Sequence, residues 1–333
     1  SLKVSEASSI NINENKPALA DKWLTLHAFS GTFRLLTQLL AMMVLVPIII
    51  HYEGQERYGI WTLSMAIGAL LAFLELGLVQ ATNRFLSSVD YRSRPQELAD
   101  MACTTFWLNI LSGIFVLVVG LPFSEEIARL FEVPEKVRSE AGLVIAIMIW
   151  RLALSIPLRN FQTALISQRL MVRAHLAQGV SNLLYFAGGV YALYIGSGIE
   201  GLSMVYLVTM IVEHSAYMIM SRRVLPLNVY LPWKFRAGLV KRILEFSMFA
   251  WLGQLVSVIY LRAGVLFVQL TCGLVATGAF GLANRLTSIS SELATQVIFA
   301  GGPKIAKLAA SGDEGMREAG YLSLVLARRS VLL

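Results

Sequence analysis

Two cysteines and four histidines are all that 333 residues offer for disulfide or metal chemistry. Cys103 and Cys272 fall in or beside apolar runs, far apart and without ligand spacing, so a disulfide framework is excluded and buried packing is the expected role. The histidines are scattered, and no pair shows metal-site spacing. His214, beside Glu213, reads as a polar spot within an apolar helix. No phosphate-binding glycine loop occurs, which leaves no sign of an ATPase, and no cofactor is expected. Charge is scarce as well. Only 15% of residues are charged against 56% hydrophobic, with a mean hydropathy of +0.65, which is incompatible with an ordinary soluble domain.

What the chain does have is a series of apolar runs, each near the roughly 20 residues that a helix needs to cross a bilayer. Eight complete spans are predicted at 29–50, 58–82, 99–121, 141–163, 176–195, 199–220, 244–268 and 277–302. A ninth begins near 320. The chain starts with Ser and ends before that run could cross, so we expect a fragment lacking further C-terminal helices. The polar first 22 residues carry no apolar core of a signal peptide, which makes the first span the expected targeting signal. The fold class is therefore an all-α polytopic membrane bundle.

Lys and Arg are unevenly shared among the loops. The N-terminal tail and loops 2, 4, 6 and 8 hold 3, 3, 2, 6 and 3, whereas loops 1, 3, 5 and 7 hold 1, 3, 0 and 0. The positive-inside rule then predicts a cytoplasmic N-terminus. Loop 3, "SEEIARLFEVPEKVRSE", offsets its cations with five Glu and reads as a short amphipathic outer helix. The formal charge of +7 reflects topology, because the basic residues are dispersed over membrane-flanking loops; nucleic acid is not an expected partner. Loop 6, "SRRVLPLNVYLPWKFRAGLVKRI", reads as a surface segment among anionic head groups with Trp233 as an anchor.

Loop 6 also falls where two six-helix halves would meet. The predicted domains are a tail at 1–28, an N-lobe at 29–220, a basic linker at 221–243 and the start of a C-lobe at 244–333. A weak internal repeat supports this: Gln38 and Gln254 sit in the first helix of each half, and Tyr58-Gly59 and Gly278-Ala279-Phe280-Gly281 open or nearly open the second. Even-numbered halves give parallel repeats about an axis along the membrane normal.

The order of "YGIWTL", "FLELGLVQATNRFLS", "LFEVPEKVRSEA", "TGAFGLANRL" and "GGPKIAKLAASGD" resembles the polysaccharide-exporting flippases of bacteria. These are the O-antigen or capsule translocases of the multidrug/oligosaccharidyl-lipid/polysaccharide superfamily. The resemblance spans essentially residues 25 to 333 and implies two lobes around a central cavity. It further implies a bacterial inner-membrane flippase for an undecaprenyl-pyrophosphate-linked oligosaccharide in O-antigen, lipopolysaccharide, capsule or exopolysaccharide synthesis. The implied partners are that lipid-linked glycan, membrane lipids, a polymerase and a chain-length regulator. A further implication is that Arg285, in "GLANRL", faces the cavity.

Ionisable residues inside spans are costly and usually face a polar cavity or a partner, which makes each a functional candidate. They are Arg34, Glu75, Arg151, Arg159, Glu213, Arg262, Arg285 and Glu292. A guanidinium suits phosphate through its planar fork. The expected substrate cavity comprises Arg34, Arg285, Arg151, Arg262, Arg84, Gln38 and Gln254, and the expected coupling groups are Glu75, Glu292 and Glu213. For Arg34, Arg159 and Arg262, snorkelling to the interface is the competing role. Glu75 needs a cation from another span, and Arg34 is the expected partner. Gly77 and the Asn83 region can let span 2 bend, with freed carbonyls facing a cavity. Two alternatives stay open: a membrane-embedded glycan polymerase or glycosyltransferase, which would want a large catalytic loop, and a MATE-like drug exporter, which would want an acidic cavity.

Overall fold

In the computed structural model the backbone is described for residues 15–89, 93–168, 170–223, 225–309 and 320; the side chains of 15–28, 233, 257–262 and 289–309 are outside that description. The elements are α1 (Asn15–Leu71), α2 (Leu78–Ser87), α3 (Pro95–Gly120), α4 (Ser124–Leu130), α5 (Glu135–Ser167), α6 (Met171–Tyr194), α7 (Gly198–Ser221) and α8 (Ala237–Ala309). Five helical stretches of the described residues are long and apolar enough to cross a membrane: Phe29–Glu75, Pro95–Leu130, Glu135–Ser167, Gly198–Ser221 and Ala263–Ser288. Helix α6 is long enough but falls short in hydropathy, because Gln178, Ser181 and Asn182 interrupt its apolar run.

Helix α1 contains the first predicted span and residues 58–71 of the second, 58–82, as two arms that meet at Gly54, whose backbone (φ 82°, ψ 173°) leaves the helical region. Helix α8 does the same at Gly273 (φ 76°, ψ −174°). Only glycine adopts that conformation without steric cost. The two glycines stand 219 residues apart, and the same offset relates Gly59 to Gly278, Gln55 to Leu274 and Thr62 to Gly281. A Cβ on Gly59 would meet the Leu274 carbonyl, a Cβ on Gly278 would lie 3.5 Å from the Gln55 carbonyl, and one on Gly281 would strike Thr62. Each contact joins equivalent positions reciprocally, so a pseudo-two-fold axis passes between Thr62 and Gly281, with the second arms of α1 and α8 packed across it. On this register Gln254 is equivalent to Leu35, so the two glutamines share the first arm of each repeat but not the same position.

Beyond Leu71 the second arm of α1 tightens into a 3-10 turn, Ala72–Glu75, and breaks at Leu76 (φ 54°) and Gly77 (φ 70°) before α2 starts. The bend expected near Gly77 is present, but the freed carbonyls are capped by side chains. Gln254 Nε2 donates to the Ala72 carbonyl at 3.4 Å, Trp251 Nε1 to Phe73 at 2.7 Å and Ser112 Oγ to Leu74 at 3.3 Å. These bonds replace the helical ones that a bilayer could not supply.

The amphipathic helix read in loop 3 is α4, which packs on α5; Gly142 gives room for the Glu125 side chain. Helix α8 starts at Ala237, earlier than the predicted span at 244, so the last part of the basic linker is helical. Cys103 is buried, whereas Cys272 is exposed beside the Gly273 break, contrary to the packing role expected for both. One apolar cluster, with Ile49, Ile60 and Ile145, lies toward the Gly54 end; a second, with Phe85, Phe161 and Tyr230, lies toward the other.

Candidate functional site: a basic cavity among α1, α5, α6, α7 and α8

A cavity of about 310 Å³ opens among these five helices. Helix periodicity builds it. Gln178, Ser181, Asn182 and Tyr185 recur at spacings of three and four residues, so α6 turns one polar stripe toward the cavity. Helix α7 answers with Tyr206, Thr209, Glu213 and His214, and α5 supplies Arg151, Arg159 and Gln162. Gln38 comes from α1, and Arg285 from α8.

Three guanidiniums thus face one lining carboxylate, Glu213, whose Oε1 accepts a 2.6 Å bond from the Tyr217 hydroxyl. The Arg151 Cζ sits over the Tyr206 ring, 3.8 Å from its centroid, and its buried Nε has no hydrogen-bond partner. Tyr206 is in turn edge-packed on Trp61 (5.8 Å between centroids) and tilted against Tyr185 (5.1 Å). Arg285 comes within 3.0 Å of the Met42 sulfur. His214 Nδ1 is 2.9 Å from the Met210 carbonyl, which assigns the proton to Nδ1 and leaves Nε2, buried and unpartnered, as an acceptor. The arrangement can accept an anion on its arginines and hydroxyl groups on its tyrosines, amides and imidazole.

Of the residues singled out in the sequence, Arg151, Arg285, Gln38 and Glu213 line this cavity, and so does Arg159. Arg34 stands beside it, donating to Gln38 Oε1 at 3.3 Å. Gln254 is elsewhere: it accepts a 3.0 Å bond from Gln80 and caps the broken end of α1. Arg84 is also outside, exposed at the far end of α2 with its guanidinium 4.2 Å over the Phe246 ring. The side chains of Arg262 and Glu292 lie outside the described residues.

The expected partner of Glu75 needs correction. Its carboxylate is 1% exposed and accepts from Arg159 of α5, at 3.2 and 3.4 Å, not from Arg34. Arg159 therefore does not snorkel away from the bundle; one guanidinium touches both the cavity and the buried carboxylate. Sequence reading passed over the neutral lining residues of α6 and α7, although their three-and-four spacing within apolar spans was the signal that could have found them.

These features define a multi-pass helical membrane protein with a polar, cation-rich internal cavity. The family model described as MatE matches residues 32–191. No match is found among curated protein sequences. Among solved structures, the MATE multidrug transporter DinF-BH is similar with a TM-score of 0.68 at 13% identity, over 96% of this chain and 72% of that one. An inward-facing multidrug resistance MATE family transporter of the MOP superfamily gives 0.64 at 16% identity, over 89% and 70%. A MOP superfamily transporter from Pyrococcus furiosus, described as having a binding pocket of reverse polarity that suggests a different function, gives 0.57 at 16% identity, over 93% and 78%. At these identities the likeness establishes the fold: that of MATE transporters.

Proposed function

We propose that the chain moves a lipid-linked oligosaccharide with an anionic pyrophosphate head, of the undecaprenyl-pyrophosphate kind, from the cytoplasmic to the outer leaflet of a bacterial inner membrane for surface polysaccharide synthesis. The observation that carries this is the excess of three arginines over one carboxylate around the cavity. Guanidinium forks bind phosphate oxygens in a low-dielectric site, whereas a hydrophobic cation would be repelled there. The tyrosine, amide and imidazole groups suit the sugar hydroxyls. Alternating access would carry the head through the cavity while the lipid chain stays in the bilayer. Arg159, shared with Glu75, gives a route to coupling: an entering phosphate competes with the Glu75 carboxylate for one guanidinium.

Export of a cationic drug is the second reading, and the lining carboxylate Glu213, within a fold shared with multidrug transporters, is what favours it. The reversed pocket polarity described for the Pyrococcus furiosus protein supports the view that this fold accommodates other cargo. Mass spectrometry of lipids copurifying with the full-length protein separates the two. A pyrophosphate-linked glycan that is lost in Arg151→Gln/Arg285→Gln supports flipping; drug resistance that depends on Glu213 with no such lipid rejects it.

A further inference from the structure

A second cavity, of about 420 Å³, opens on the outer face of α6 and α7, away from the central one, and is lined by Arg173, Leu176, Ile219, Met220 and Arg223. The two helices run antiparallel. Arg173 is in the first turn of α6 and Arg223 lies just past the end of α7, which puts both at the same end of the bundle. Each sits about one turn beyond an apolar wall residue, Leu176 on one side and Ile219 on the other, and these are 40% and 59% exposed. Among the described residues neither arginine enters an ion pair.

We infer that this groove binds an anionic glycerophospholipid of the phosphatidylglycerol type, its phosphate held between Arg173 and Arg223 and one acyl chain lying along Leu176, Ile219 and Met220. The chemistry selects this occupant. Two unpaired guanidiniums at a helix end attract a phosphate, and the apolar wall beneath them gives a free phosphate ion nothing but gives an acyl chain its bilayer environment. A zwitterionic lipid brings its own cation against the arginines. The same end of the bundle carries the basic connection with Arg222, Lys234, Arg236, Lys241 and Arg242, a composition suited to an anionic head-group layer. The inference stands apart from the proposed cargo, since neither arginine lines the central cavity.

The test uses the full-length protein in phosphatidylcholine vesicles, with spin-labelled phosphatidylglycerol or phosphatidylcholine as probes. Phosphatidylglycerol should be preferred at the protein surface. At about 1 kcal/mol per arginine, Arg173→Gln should lower that preference about fivefold, and Arg173→Gln/Arg223→Gln about 30-fold. Ile219→Trp, which fills the groove without changing charge, should lower it too. Arg222→Gln removes the neighbouring charge outside the groove and should lower the preference clearly less than Arg223→Gln does. If Arg222→Gln weakens binding as much as Arg223→Gln, diffuse surface charge is the cause and the site is rejected. Rejection follows as well if the wild type shows no preference, or if Ile219→Trp shifts the oligomeric state, which would make a second copy the occupant.

Discussion

Arg159 of α5 holds the carboxylate of Glu75 at 3.2 Å across the bundle, at the point where the second arm of α1 tightens and breaks. The pair is unequal: the Glu75 side chain is 1% exposed and that of Arg159 is 36% exposed. Removing the cation leaves a buried carboxylate without compensation, which costs on the order of 3–5 kcal/mol. Removing the carboxylate leaves a guanidinium that still reaches the polar cavity. Thermal unfolding in detergent should therefore rank Arg159→Gln well below Glu75→Gln, with Arg159→Gln/Glu75→Gln recovering most of the loss. Equal melting of Arg159→Gln and the double variant would show that the charge pair does not set stability.

The same pair predicts a transport phenotype. If cargo phosphate displaces Glu75 from Arg159, then Glu75→Gln, which keeps size and hydrogen bonding, removes the competitor and uncouples the step. Glycan export should fall at unchanged protein level. Normal export by Glu75→Gln across several external pH values would reduce the pair to a static pin between α5 and the end of α1.

Arg151 tests the chemistry of the cavity. Its guanidinium carbon lies over the Tyr206 ring at 3.8 Å, and Tyr206 is itself braced by Trp61 and Tyr185. Lysine keeps the charge but loses the planar fork. A desolvated cation–π contact is worth about 2 kcal/mol, part of which lysine keeps, so Arg151→Lys should lower export by up to about 30-fold. Export equal to wild type would mean that only net charge matters at this position.

Where the sequence was legible, one helix's own periodicity carried the information. Hydropathy placed the spans, and Gly77 marked the break because it combines a positive φ with a close approach to the Ser247 carbonyl, which a side chain would block. The polar stripe on α6 was equally readable from Gln178, Ser181, Asn182 and Tyr185. What escaped depends on partners far along the chain. Arg159 lies 84 residues from Glu75, and spacing alone could not prefer it to Arg34. Gln254 resembles Gln38 as a lone amide in an apolar helix, yet its environment is set by the broken carbonyls of α1 and not by the cavity. A polar residue in a span announces a need for a partner; only packing decides whether that partner is a ligand, an ion pair or a frayed backbone.

Orientation is open to a direct measurement. In a Cys272→Ser background, Glu126→Cys in α4 and Arg222→Cys beyond α7 place thiols at exposed positions on opposite ends of the bundle. The Lys and Arg asymmetry predicts that an impermeant thiol reagent labels Glu126→Cys in intact cells, and Arg222→Cys only after permeabilisation. The opposite pattern would invert the topology and the direction of transport.

The pseudo-two-fold axis makes the sharpest structural prediction. Thr62 and Gly281 occupy equivalent positions 219 residues apart and face each other, so the site has room for one side chain and not two. Gly281→Thr would place a second threonine there, and overpacking of this kind costs about 1–3 kcal/mol. Thr62→Gly leaves a gap and weakens the helix by about 1 kcal/mol. Under the symmetry, Thr62→Gly/Gly281→Thr rebuilds the same contact from the opposite arm. The exchanged protein should therefore melt closer to wild type than Gly281→Thr does, with a coupling between the two changes of about 1 kcal/mol or more. Simple additivity would place the axis elsewhere. Gly59 offers an internal control, because its close neighbour is the Leu274 backbone carbonyl and not a side chain. No side-chain exchange can relieve Gly59→Ala, so it should remain destabilised in either background.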